Sequence, residues 1–170
     1  MSWKETYNAW KNYQALEPDL KDELAKLEGN DEALEDAFYA PMEFGTAGMR
    51  GVIGAGINRM NVYTVRQATE GLASLMDTLD EETKRRGVAI SYDSRHKSQE
   101  FAFESARVLG AHGIPSFVFE SLRPTPELSF TVRHLHAYAG IMITASHNPK
   151  QYNGYKIYGE DGAQMPPKES

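Results

Sequence analysis

The apolar positions of the first forty residues follow a helical period. Three aromatic residues recur at i, i+4 and i+7, namely Trp3, Tyr7 and Trp10. A second helix is predicted after Pro18 by three leucines that share one face: Leu20, Leu24 and Leu27. Residues 31–39 have the pattern of one more short helix. We expect residues 1–40 to form a helical amino-terminal extension whose apolar stripe packs on the rest of the protein, with a ligand or partner surface as the alternative.

From residue 41 the pattern changes to short apolar runs that alternate with helical segments. The predicted strands are one run within the glycine-rich residues 44–60, VAISY at 88–92, SFVFE at 116–120 and YAGIMITA at 138–145. The predicted helices open at Thr64, Ser98 and Thr125. Residues 153–164 are expected to be a short extended or hairpin segment. Such alternation is typical of βαβ units, so residues 41–170 predict a three-layer αβα domain of the α/β class with a mainly parallel, mixed sheet.

The charge is concentrated in the extension. Residues 1–40 hold ten acidic residues and four lysines, whereas residues 41–170 hold fourteen acidic and fourteen basic residues. Neither part has the basic excess of a nucleic-acid-binding protein, and no apolar run is long enough to span a membrane. The 170-residue chain has no cysteine, which excludes disulfides and thiolate zinc sites and favours a cytoplasmic location.

Polar residues gather where the predicted strands end, which is where open α/β sheets bind their ligands. Cations, hydroxyls and glycines share these positions: residues 93–97 after the second strand, 123–126 after the third, 144–150 after the fourth, and the glycine-rich residues 45–51 before the first. Guanidinium groups and backbone N–H groups exposed by glycine are typical anion ligands, so the set predicts an anion site, most simply for phosphate. Within it Asp93 is expected to pair with Arg95 or to cap a helix.

Ser146 stands out within this set because it follows a fully apolar strand and precedes His147-Asn148-Pro149, where the chain must turn. A hydroxyl at such a corner favours chemistry over packing. A serine hydrolase fits poorly, since there is no GxSxG elbow and His147 is the immediate neighbour of Ser146. Dinucleotide and P-loop sites are disfavoured because Gly54-Ala55-Gly56 continues into neither motif.

Taken together, these segments resemble the α-D-phosphohexomutase family, which includes phosphoglucomutases and phosphomannomutases. The resemblance rests on TASHNP at 144–149, NGYK at 153–156, FGTAGMRG at 44–51, DSR at 93–95 and RPTPE at 123–127. The aromatic helical extension is most similar to the phosphoglucomutase and phosphopentomutase branch.

The resemblance implies a role for each of several residues. Ser146 would be phosphorylated at rest and pass its phosphoryl group to a sugar monophosphate. Arg50 would stabilise the transferring group, Lys156 would act as general acid and base, and His147 would orient the phosphate or the sugar. Supporting contacts to phosphate or substrate are implied for Thr46, Arg95 and Asn148.

The resemblance also implies ligands and missing parts. Mg²⁺ would contact this chain through the phosphoryl group of Ser146, and a sugar 1,6-bisphosphate would be the intermediate. The acidic DGDGD-type metal loop of the family is absent from these 170 residues. We therefore expect a domain I fragment, inactive alone, whose partners are the carboxy-terminal domains of the same protein. Glucose is the first expected sugar, with a phosphopentomutase or a non-catalytic phosphosugar-binding module as alternatives.

Overall fold

The computed structural model describes residues 2–43, 48–94, 97–120, 128, 131–144 and 152–159. The helices within these ranges are α1 (Trp3–Lys11), α2 (Pro18–Leu27), α3 (Asp31–Phe38), α4 (Val62–Met76), α5 (Glu81–Arg85) and α6 (Ser98–Ala111). The strands are β1 (Met49–Val52), β2 (Val88–Tyr92), β3 (Ser116–Glu120), β4 (Ala139–Ile143) and β5 (Tyr152–Tyr158). Leu128 and residues 131–134 are also helical.

The described strands form one sheet in the order β1-β5-β4-β2-β3. β2 pairs in parallel with β3 and with β4, while β5 runs antiparallel to both β4 and β1. The predicted mixed α/β sheet is therefore confirmed. The structure differs from the prediction at residues 152–158, which form a full strand where a short extended or hairpin segment was expected. This strand lies between β4 and β1, so its backbone groups hydrogen-bond on both sides.

Helices cover both faces of the sheet. On one face Ile90 and Ile141 pack with Val65 and Leu72 of α4 and Phe101 of α6. On the other face Ala89 and Met142 lie in a second cluster with Leu128 and Val132. Strands buried on both faces explain the almost continuous apolar runs in β2 and β4. The three-layer arrangement expected from the sequence is confirmed.

Two helices begin differently from the prediction. Helix α4 starts at Val62, because the side chain of Asn61 accepts hydrogen bonds from the backbone N–H groups of Tyr63 and Thr64. Helix α6 has Lys97 as its N-cap, with a positive φ of 73°, and Ser98 is its first helical residue. Because Ser98 lies inside the helix, its hydroxyl is available for a tertiary contact.

The amino-terminal helices pack on the 53–63 region through an apolar cluster that includes Leu20, Leu24, Phe38 and Ala55. The indole of Trp10 meets Phe38 and Tyr63 edge-on, with ring centroids 5.5 and 5.4 Å apart. A domain boundary at residue 40 stays a prediction. In the described part of the chain, no helix is long and apolar enough to cross a membrane.

Candidate active site

Arg50 and Lys156 lie on the same face of the sheet, where β1 meets β5. Arg50 is paired with Gly154 across the antiparallel ladder, and Lys156 follows Gly154 by two residues on the same strand. Side chains two apart on a strand share a face, and directly paired residues do so as well. The structure therefore brings together two cations that are far apart in the sequence.

The electrostatic state of Lys156 is altered by this arrangement. Burial, and next the positive charge of Arg50, lower the pKa of the Lys156 ammonium group from its ordinary value. Arg50 is exposed, whereas Lys156 is half-buried. Among the described residues, no carboxylate forms a salt bridge with either cation. Two cations without a carboxylate partner in the described part of the chain are suited to bind an anion, and a lysine with a lowered pKa is suited to exchange a proton.

Gly48 allows the chain to pass close to Lys156 just before β1. Its φ is +86°, and a Cβ at this position would lie 2.5 Å from the carbonyl oxygen of Tyr155 and 2.8 Å from the Cγ of Lys156. Both the conformation and the contact therefore require glycine. Gly48 thus sets the path by which the chain reaches Arg50.

Four polar side chains form what we call the Asp93 network, at the carboxyl ends of β2 and β4. The Thr144 hydroxyl donates to Asp93 Oδ2, and the Ser98 hydroxyl donates to Asp93 Oδ1, each at 2.6 Å. Asn153 Nδ2 donates to the Ser98 hydroxyl at 3.0 Å. Ser98 and Asn153 are fully buried and Thr144 is almost so. The network therefore joins β4, β5 and the start of α6 at the end of the sheet where the site was predicted.

On the opposite face of β5, Tyr155 packs against helix α4. Its phenol is fully buried and hydrogen-bonds the hydroxyl of Thr69 in α4 at 2.8 Å. Burial raises the pKa of Tyr155 far above its ordinary value, so the phenol stays protonated. With Tyr155 fixed on the α4 side, the alternation of the strand turns Lys156 to the other face.

Arg50 and Lys156 are the predicted site residues that the structure describes. The others lie outside the described residues: Thr46, Arg95, Ser146, His147 and Asn148. Lys97, expected at the same rim, is directed elsewhere, because its ammonium group pairs with Asp19 at 2.8 Å and with Glu100 at 2.9 Å.

Sequence reasoning missed the links that Ser98 and Asn153 make. The sequence predicts a helix cap at Ser98 and offers Asn153 only as part of the NGYK segment. One signal was present in the sequence: an asparagine is unfavourable within a strand unless its amide has partners. Here Asn153 donates to Ser98 and accepts from the backbone N–H of Gly154.

Comparisons with known proteins identify relatives of this chain. Residues 41–170 match the family model described as phosphoglucomutase/phosphomannomutase, alpha/beta/alpha domain I. A human phosphopentomutase is 47% identical over 144 residues, which are 81% of this chain and 24% of that protein. A phosphoglucomutase of Staphylococcus aureus (strain bovine RF122 / ET3-1) is 49% identical over 130 residues, which are 76% of this chain and 23% of that protein. The chain spans about a quarter of the length of these curated relatives.

A solved structure is also similar. A protein assigned as a phosphomannomutase of Thermus thermophilus superposes with a TM-score of 0.63 at 33% identity, over 76% of this chain and 28% of that one. Sequence and fold lead to the same group of proteins. The chain belongs to the phosphoglucomutase/phosphomannomutase family, and residues 41–170 correspond to its α/β/α domain I.

Proposed function

We propose that this chain is the serine-bearing domain of a phosphohexomutase, an isomerase that interconverts sugar 1-phosphates and 6-phosphates. The observation that carries the proposal is the placement of Arg50 and Lys156 on one face where β1 meets β5. Ser146 lies in the segment that joins β4 to β5 in the sequence. The names of the relatives, phosphoglucomutase and phosphopentomutase, support the reaction class.

In the proposed reaction Ser146 carries a phosphoryl group and transfers it to a sugar monophosphate. The bond between the Ser146 oxygen and phosphorus breaks as a sugar hydroxyl oxygen bonds to phosphorus. The proton of that hydroxyl passes to the neutral amine of Lys156, whose lowered pKa supports this role. As the first bond breaks, the Ser146 oxygen takes up a proton from water. The resulting sugar 1,6-bisphosphate then returns its other phosphoryl group to Ser146, whose hydroxyl proton passes back to water, while Lys156 gives its proton to the sugar oxygen that leaves.

The remaining site residues bind and orient. Arg50 offers a charged donor to the oxygens of the transferring group, which gain stabilisation when charge builds up in the transition state. We assign His147 to orientation of the phosphate or the sugar, and Thr46, Arg95 and Asn148 to supporting contacts with phosphate or substrate.

Mg²⁺ would supply charge neutralisation at the phosphoryl group when it is bound. The described residues contain no group of three or more histidine, aspartate and glutamate side chains that could hold a metal ion. We propose that this chain contacts the metal only through the phosphoryl group of Ser146, and that further domains of the same protein supply its other ligands. The present residues alone would then be inactive as a mutase. The absence of cysteine supports a cytoplasmic location.

Glucose phosphate is the proposed substrate, and pentose phosphate is the second candidate because the human relative is named a phosphopentomutase. The test uses the full-length natural protein. Intact mass should show a fraction heavier by one phosphate, absent from Ser146→Ala, and turnover should be measured with glucose, mannose and ribose 1-phosphates. Phosphate-free protein with an active Ser146→Ala variant would contradict the proposal. Labelling by a serine-directed phosphonate would favour a hydrolase, and sugar phosphate binding without turnover a non-catalytic module.

A further inference from the structure

The Asp93 network holds both flanks of the segment that carries Ser146. Thr144 stands directly before residues 145–151 and donates its hydroxyl proton to Asp93. Asn153 stands just after them and reaches the same carboxylate through the hydroxyl of Ser98. The backbone adds a further link, since the N–H of Thr144 donates to the carbonyl of Gly154 at 3.1 Å. One carboxylate therefore connects the two ends of this segment.

The hydrogen bonds of the network share one direction. The amide of Asn153 donates to Ser98, the hydroxyl of Ser98 donates to Asp93, and the hydroxyl of Thr144 donates to the second oxygen of Asp93. An ionised carboxylate accepts at both oxygens and donates nothing. An asparagine at position 93 has the same shape, yet it would present an N–H₂ group to one of the two hydroxyls. The network therefore requires two acceptor oxygens at position 93 as well as the shape of the side chain.

Burial makes these bonds strong and their loss costly. Ser98, Thr144 and Asn153 are buried, and Asp93 is half-buried. Hydrogen bonds to a charged acceptor are shorter and stronger than neutral ones, and fully connected buried networks stiffen the segments that they join. A buried hydroxyl left without an acceptor costs free energy, which favours a rearrangement of the backbone around it.

We propose that Asp93 is a positioning residue for phosphoryl transfer: through Thr144 on one side and Ser98 and Asn153 on the other, it sets the place of Ser146 relative to Arg50 and Lys156. This inference rests on the proposed role of Ser146 as phosphoryl carrier. Phosphoryl transfer depends on alignment, and a displacement of about 1 Å in a reacting group lowers rates by about a hundredfold. Asp93 acts on the reaction through the residues that it holds.

The kinetic test uses the full-length protein and four variants. Asp93→Asn and Thr144→Val each keep the size of the side chain and remove part of the network, and we expect each to lower kcat about tenfold to a hundredfold with KM changed less than about threefold. Thr144→Ser keeps the hydroxyl and should retain kcat within about threefold. Ser105→Ala is the control for general stability, because its buried hydroxyl lies on the opposite side of the sheet, where it donates to the carbonyl of Phe101 and accepts from the hydroxyl of Thr69. It should lower the melting temperature and leave kcat unchanged.

A second measurement does not depend on activity. Amide hydrogen exchange of a peptide covering residues 145–151 should become at least about tenfold faster in Asp93→Asn and Thr144→Val than in the parent protein and in Ser105→Ala. If Asp93→Asn does not fold, the kcat and the amide exchange of Thr144→Val, each compared with Thr144→Ser, test the positioning role instead.

The outcomes separate this inference from the proposed function. A kcat within about threefold of the parent for both Asp93→Asn and Thr144→Val, or unchanged exchange at residues 145–151, would overturn the positioning role. An equal loss of kcat in Ser105→Ala would do so as well, since it would trace the effect to general instability. A parent protein without mutase activity would instead overturn the proposed function, and hydrogen exchange would still show whether Asp93 holds the segment.

Discussion

Lys156 carries its ammonium group close enough to the guanidinium of Arg50 for the charge of Arg50 to lower its pKa. The two residues lie on one face of the sheet, two strand positions apart across the β1–β5 ladder. Repulsion between like charges opposes folding and is retained in proteins where it serves a site. The pair therefore gives direct tests of the proposed chemistry.

Replacing Arg50 should change the titration of Lys156. We expect Arg50→Met to raise the pKa of Lys156, because the neighbouring positive charge is gone, whereas Arg50→Lys keeps a charge and should raise it less. Burial, the larger cause, remains in both variants, so the pKa should stay below its ordinary value. The measurement is an NMR titration of lysine labelled with ¹³C at Cε. An unchanged pKa in Arg50→Met would mean that the two cations are not coupled.

Lys156→Met should separate activity from stability. Lys156→Met should lower kcat by about 10² to 10⁴, the usual loss when a general acid and base is removed. Arg50→Met removes one charged transition-state contact and should lower kcat by about 10² to 10³. The folded state holds the pKa of Lys156 below its unfolded value, so the charged lysine opposes folding at neutral pH; this penalty fades only as pH rises through the interval between the two values. Denaturant titration at pH 7 should therefore show no loss of stability in Lys156→Met. A loss of kcat below about tenfold would assign Lys156 to binding.

Gly48→Ala should disturb the approach to β1. Its positive φ costs an alanine about 1–2 kcal/mol, and the added Cβ meets the backbone carbonyl of Tyr155, so we expect a loss of at least that size in the free energy of unfolding. Gly110→Ala is the matched control, because a Cβ there meets nothing within 4 Å in the exposed part of α6. That change should stabilise the protein by about 0.5–1 kcal/mol. Equal effects at the two glycines would contradict the close approach at Gly48.

A histidine away from the site should make stability depend on pH. His112, at the end of α6, hydrogen-bonds both Asp77 and Glu70 at the α4 side, and Asp77 first and Glu70 next raise its pKa. A raised pKa contributes stability that is fully present below the unfolded value near 6.5 and is lost as pH rises through the folded value. Thermal unfolding between about pH 5.5 and about pH 9 should show this decline, and His112→Gln should remove it. Glu70→Gln should remove less of it than Asp77→Asn does; the reverse order would contradict the leading role of Asp77.

Trp10 should connect the amino-terminal helices to the body of the protein. Its two edge-to-face contacts with Phe38 and Tyr63 are together worth about 1–3 kcal/mol beyond the buried area, so Trp10→Ala should lower the free energy of unfolding by at least that amount. Tyr39→Ala is the control, because Tyr39 is 61% exposed and its removal should cost less than about 0.5 kcal/mol. A single cooperative transition in the parent protein would show that the extension unfolds together with the domain. An unchanged free energy of unfolding in Trp10→Ala would mean that Trp10 does not connect the extension to the domain.

Local patterns in the sequence are sufficient to predict most of the strands and helices. The strands at 88–92 and 116–120 lie where the sequence predicts them. Apolar periodicity and turn residues act over a few positions and can be read without knowing the neighbours in space. Helix starts were less accurate, since the Asn61 cap of α4 competes with the plausible cap at Thr64 that follows it by three residues.

The sequence by itself determined the α/β class and the polar segments at the strand ends, because residue types and spacing carry that information, and its resemblance to the family implied the candidate roles of Ser146, Arg50 and Lys156. The tertiary structure decided which side chains meet. Thr144 reaches Asp93 across 51 positions, Asn153 reaches Ser98 across 55, and Lys97 turns to Asp19 across 78. Such pairs depend on the strand order and on which face each strand presents, and both are properties of the whole sheet. The sequence predicts which cations belong to the site, and the position of β5 between β4 and β1 brings two of them, Arg50 and Lys156, to the same face of the sheet.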